Sequence, residues 1–168
     1  MKVLIITTEW PSQKNKYSGI FIQTQVEELR QHVEEVNVFS FSSKSNPFNY
    51  LLSWIKLRKN VHYKNADILH IHFGYAGLVA LSTKKPFILT LHGSDVLGVV
   101  DKFGKYKKIK SFISNKISLH IAKKSSRIIA VSDRIYNLIK YKEKMIILPI
   151  GIDCKKFFPM DKQIARNS

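Results

Sequence analysis

In the segment PFILTLHGSDV, the apolar run Phe87–Leu91 is followed at once by His92, Gly93, Ser94 and Asp95. An imidazole there can donate to, or accept from, a sugar hydroxyl or a phosphate oxygen. The glycine beside it lets the backbone turn or approach a ligand closely. Asp95 suits a turn former, a partner that orients His92, or an acceptor for a ligand hydroxyl. Ser94 is most simply the cap of a following turn. A strand-end histidine satisfied by a neighbouring carbonyl fits His92 equally well, so residue type leaves both readings open.

A second cluster lies near the N-terminus. Gly19, preceded by Ser18, stands before a helical pattern, where unpaired backbone N–H groups and the helix dipole favour an anionic or polyhydroxyl ligand. His70 and His72 are two apart in DILHIHF and so share a face of a strand. That spacing invites a metal, but no third ligand is evident, and core or loop-contacting histidines are the expected reading. Ser132-Asp133 reads as a helix N-cap. Three motifs are missing: G-x-G-x-x-G after the first strand, G-x-x-x-x-G-K-[ST] and H-E-x-x-H. Their absence disfavours a dinucleotide-dependent dehydrogenase, a P-loop nucleotidase and a zinc protease.

The elements that must position these residues alternate between strand and helix. Apolar runs of strand length occur at KVLIITT, EVNVFSF, DILHIHF, PFILTLH, SRIIAVS and KMIILPI. Helical patterns fall between them, around residues 20–32, from Pro47 through residue 64, at 75–82, at 105–125 and at 133–141. Strands that are apolar throughout predict a parallel sheet. The fold class is therefore α/β, a Rossmann-like doubly wound parallel sheet with helices on both faces. The expected strand order is 3-2-1-4-5-6, which would make strands 1 and 4 neighbours at the switch point and face Gly19 toward His92. Residues 1–152 are expected to form one domain. Residues 153–168, polar and without periodicity, read as a linker or a severed connection.

Composition sets outer bounds. The 168 residues carry 28 Lys plus Arg against 12 Asp plus Glu, a net charge of +16. No acid occurs between Glu35 and Asp67, or between Asp101 and Asp133. A field of that size implies an anionic partner. Across residues 105–124, Tyr106, Ile109, Ile113 and Ile117 recur at helical spacing. Lys105, Lys107, Lys108, Lys110 and Lys116 interleave there with Phe103, Tyr106, Ile109 and Phe112. A solvated face is the ordinary reading of such a run. Attachment to an anionic membrane surface ranks next, and nucleic acid last, because no recognition motif accompanies the charge. The single cysteine, Cys154, excludes an intramolecular disulfide. The apolar run at the N-terminus is too short for a signal peptide, so a cytoplasmic location is expected.

The segments MKVLIITTEWP…SGIFIQTQVEEL, DILHIHFG, PFILTLHGSDV, SRIIAVSDRI and KMIILPIGIDCKKFFP occur in this order. Together they resemble the N-terminal half of the GT-B glycosyltransferases of family 4. The resemblance implies a retaining transferase of two Rossmann-like domains that needs no metal or other cofactor. The N-terminal domain holds the acceptor, a glycan or lipid-linked hydroxyl. The C-terminal domain binds most of the nucleotide-sugar through a basic pair and an E-x7-E motif. His92 matches the histidine that contacts the transferred sugar, and Asp95 the acid of the same segment; these are the expected catalytic residues. Ser18, Gly19, Gly93 and Ser94 would face the substrate and the donor phosphates. Two departures are evident: Ser18 stands where many members have a second glycine, and Ile150 where asparagine is frequent. The donor-binding motifs do not occur before Ser168, so this chain alone is expected to lack transferase activity. A basic nucleic-acid-binding module is the competing expectation.

Overall fold

The computed structural model describes residues 1–42, 46, 48–100, 103–152, 154 and 158–167. Six strands form one parallel sheet: β1 (Lys2–Thr7), β2 (Glu35–Ser40), β3 (Ile68–His72), β4 (Phe87–Leu91), β5 (Arg127–Ala130) and β6 (Met145–Ile147). Their order is β2-β1-β3-β4-β5-β6. This corrects the expected order, because β3 lies between β1 and β4, with Ile5 beside His70 and His70 beside Ile88. The reason lies in the connection from β3 to β4. Residues 73–86 hold only a 3-10 helix, Gly74–Ala80, which suits a crossover to an adjacent strand rather than one back across the sheet. The chain leaves β1 for β2 on one side and returns to β3 on the other. The switch point is therefore between β1 and β3, as in the other common doubly wound order.

Helices cover both faces. Helix α1 (Ile20–Leu29) buries Ile22 and Val26 against Val3, Ile5 and Val36. On the opposite face, α2 (Phe48–Lys59), α3 (Val61–Asn65), the 3-10 helix and α4 (Lys108–Lys124) close over Leu4, Ile6, Leu69, Ile71, Leu89 and Ile128. Ile135 of α5 (Asp133–Leu138) joins the same core. The predicted helix of residues 47–64 is broken at Asn60, whose side chain accepts from the Tyr63 amide at 3.1 Å and starts α3; its expected start, Pro47, lies outside the described residues. Ser132 caps α5 as expected, accepting from the Ile135 amide. The expected linker of residues 153–168 contains a short helix, α6 (Lys162–Asn167), because the Asp161 carboxylate accepts from the amides of Gln163 and Ile164.

The inward face of α4 differs from the expectation based on its isoleucines. Its buried residues are Ser111, Ser118, Ile121 and Ala122, while Ile109 and Ile113 are exposed. The cause is close approach to the 3-10 helix. A Cβ at Gly74 would lie 2.6 Å from Ser118 Cα, and one at Gly77 would fall on the Ile121 side chain. The contact is met by Ser118 and Ile121, and the larger apolar side chains of the N-terminal half turn outward.

Candidate functional site

The carboxyl ends of β1, β3 and β4 converge on one crevice. After β1, the Thr7 hydroxyl accepts from the Glu9 amide and donates to the Glu9 carbonyl, both at 3.1 Å, and so turns the chain sharply. The loop returns at Gly19, which starts α1 with φ +68°. A Cβ there would lie 2.5 Å from the Glu9 carbonyl oxygen, so both conformation and space require glycine. Gly19→Ala is expected to destabilise the domain by about 1–3 kcal/mol. A lowered urea midpoint checks this; an unchanged midpoint would show that the turn yields.

From this turn Phe21 reaches across to His92, with ring centroids 4.9 Å apart. Gly19 and His92 thus share the crevice, although β3 separates their strands. Phe73 also packs on His92, at 4.6 Å, and meets Phe21 edge-on at 6.4 Å. Its φ of +69°, rare for a side chain of that size, throws the ring back over the strand end.

The imidazole of His92 turns inward. Its Nε2 lies 3.0 Å from Nδ1 of the fully buried His72, and its Nδ1 is buried without a hydrogen-bond partner among the described residues. The His72 ring lies 4.4 Å from that of His70, tilted by 30°, and His70 Nε2 lies 2.8 Å from the Thr90 hydroxyl. Three imidazoles therefore run in a chain from the crevice into the sheet. Burial holds all three neutral: His70 and His92 are lowered to about 4, and His72 lies well below its usual range, with its neighbours adding to the effect. The His72–His92 bond requires complementary tautomers, with a proton on only one of the two facing nitrogens. Sequence spacing placed His70 and His72 on one face. That His72 contacts the His92 loop became visible only in three dimensions.

Asp95 lies beneath the His92 loop. Its carboxylate is fully buried. Oδ1 accepts from the amides of His92 (3.2 Å) and Gly93 (2.9 Å), and Oδ2 from that of Gly74 (3.0 Å). It holds the ends of β3 and β4 together and is a positioning residue for the His92 loop. Burial raises its pKa, against the pull of these donors. The same bonds make Asp95, rather than Ser94, the cap of the turn. Ser94 is exposed at the rim, Ser18 is half-buried beside Gly19, and Gly93 adopts φ +114°. Lys105, Lys107, Lys108, Lys110 and Lys116 are exposed in and before α4, outside the crevice. The two regions still touch: Asn115 of α4 donates to the Val96 carbonyl at 2.8 Å, and Ser111 accepts from the Val99 amide at 2.8 Å.

No cluster of three metal-ligating side chains occurs among the described residues. A depression of about 570 Å³ lined by Lys84, Lys85, Phe87 and Lys124 opens at the amino ends of the strands. It is at the wrong end of the sheet for the crevice chemistry.

A doubly wound α/β domain of this order is Rossmann-like, a class in which ligands bind beyond the carboxyl ends of the strands. The chain belongs to glycosyltransferase family 4: the family model, "Glycosyltransferase Family 4", matches residues 1–156. A curated relative, the putative teichuronic acid biosynthesis glycosyltransferase TuaC of Bacillus subtilis (strain 168), is 25% identical over 209 residues. That match covers 94% of this chain and 51% of TuaC, so the chain spans about half the length of this relative. Among solved structures, UDP-GlcNAc 2-epimerase from Methanocaldococcus jannaschii superposes with a TM-score of 0.56. The superposition covers 88% of this chain and 45% of that one, at 15% identity, and shows likeness of fold.

Proposed function

We propose that residues 1–152 are the acceptor-side domain of a retaining glycosyltransferase that works at the cytoplasmic face of an anionic membrane. The enzyme moves a sugar from a nucleotide-sugar to a hydroxyl of a lipid-linked or polysaccharide-precursor acceptor, without a metal or other cofactor. The observation that carries this reading is the Gly19–His92 crevice in a family 4 chain. The envelope polymer in the name of TuaC supports the class of acceptor. The donor is assigned to a second domain, so residues 1–168 tested by themselves are expected to show no turnover of it.

In this reading Gly19 keeps the α1 N-terminus open to the donor phosphates, with Ser18, Gly93 and Ser94 around it. His92 exchanges its bond to His72 for one to the transferred sugar. In the protein carrying both domains, His92→Ala is expected to lower kcat about 10²-fold, the scale of losing one transition-state donor. An unchanged kcat/KM would remove His92 from the reaction.

The lysines of α4 draw the domain to the membrane, each contributing on the order of 1 kcal/mol near an anionic surface. Because α4 braces the His92 loop, attachment there brings the crevice rim close to a lipid-linked acceptor. Co-sedimentation with anionic vesicles at low salt is expected, and K108E/K110E is expected to weaken it. Salt-sensitive binding to nucleic acid with none to vesicles would replace this reading with the nucleic-acid one.

A further inference from the structure

Helices α2 and α4 each present an apolar stripe that the fold leaves uncovered. On α2 it comprises Phe48, Leu51, Leu52 and Ile55; on α4, Ile109, Phe112 and Ile113. These side chains are between 38% and 78% exposed. The spacing i, i+3, i+4 and i+7 aligns each set along one helix face, with Lys116 completing the stripe on α4. Single exposed leucines are ordinary on a protein surface, but two such rows are not.

The fold sets the two helices on the same face of the sheet, both packed on the 3-10 helix. Leu57 of α2 and Ile121 and Ala122 of α4 enter the same core as Ala76, Val79 and Ala80 of the intervening 3-10 helix. Trp54 and Arg58 tie α2 to the Ser82 hydroxyl just beyond that helix. The inward residues of both helices thus point to one layer, and their stripes face away from it together.

We propose that α2 and α4 jointly lie in the headgroup region of an anionic bilayer, with both stripes inserted below it. The charge pattern favours this occupant. Neither helix contains an acid; Lys56 and Lys59 are exposed on α2, and Lys108, Lys110 and Lys116 on α4. Their alkyl stems lie along apolar surface while the ammonium groups reach lipid phosphates. A second copy of the chain would instead set lysine rows against lysine rows. Nucleic acid offers nothing to the apolar centre of each stripe. This inference rests on the membrane reading above, which needs only the lysines of α4, and it adds α2 and a mode of attachment by insertion.

The test is co-sedimentation of this chain with vesicles of phosphatidylcholine, with and without phosphatidylglycerol, at low and high salt. The variants are L51S/L52S and I109S/F112S, whose exposed positions leave the core intact and whose folding is checked by circular dichroism. The unaltered chain is expected to bind the anionic vesicles and to retain a salt-resistant fraction. Each double variant is expected to weaken binding about tenfold or more and to lose that fraction. With Trp10→Phe as background, brominated lipid is expected to quench Trp54. If L51S/L52S binds like the parent while I109S/F112S does not, insertion of α2 is overturned and the membrane reading stands. Absence of any vesicle binding overturns both. A concentration-dependent dimer that L51S/L52S abolishes assigns the stripes to a second copy instead and also overturns the inference.

Discussion

Acidification from pH 7 to 4 is expected to remove most of the stability of this domain, and the buried imidazole chain is the reason. An unfolded histidine takes up a proton near pH 6.5, whereas folded His70 and His92 do so only at about 4, and His72 well below its usual range. Above pH 6.5 both states are neutral and the chain adds no pH dependence. Below it the unfolded state binds protons that the folded state refuses, so stability falls as pH falls. By pH 4 the loss is roughly 3 kcal/mol each for His70 and His92, against a total of about 5–15 kcal/mol for a domain. Asp95 acts in the opposite sense, since its raised carboxyl binds a proton more readily folded than unfolded. It is one group against three. Urea midpoints measured at pH 7, 6 and 5 should fall steadily. His70→Gln, which keeps a partner for the Thr90 hydroxyl but does not titrate, should flatten the slope; the same slope in the variant would exonerate the chain.

The second large effect is expected at Asp95. Asp95→Ala leaves the amides of Gly74, His92 and Gly93 without their acceptor, two of them on fully buried residues. At about 1–3 kcal/mol for each orphaned group, the cost is roughly 3–9 kcal/mol. For a domain of this size the melting temperature should drop on the order of 10 °C or more. Asp95→Asn retains one accepting oxygen and should fall between the two. Thermal unfolding followed by circular dichroism decides the matter: a wild-type melting temperature for Asp95→Ala would refute the positioning role. A catalytic role alone would lower turnover and leave stability unchanged.

Both effects arise from residues visible in the sequence, but their roles were legible to different degrees. The crevice could be read because its determinants are local. A left-handed turn demands glycine at position 19, and an apolar strand that ends in His-Gly-Ser-Asp ends at a site or a turn. The strand order was misread because apolar strands look alike one at a time. The length of the connection over residues 73–86 was the available clue to a neighbouring strand. The orientation of α4 left no such clue. Its inward face is set by Gly74 and Gly77, about forty positions away, whose missing side chains make room for Ser118 and Ile121.

The sequence by itself determined the six strands, the parallel α/β class, the basic surface and the family, because each depends on runs of adjacent residues or on their types. Tertiary structure alone decided that β3 separates β1 from β4, that Asp95 holds backbone amides, and that His92 bonds inward to His72. It also decided that the large apolar residues of α4 face outward beside those of α2. These outcomes depend on which distant groups meet, and packing resolves that by space and by the need to pair every buried polar atom.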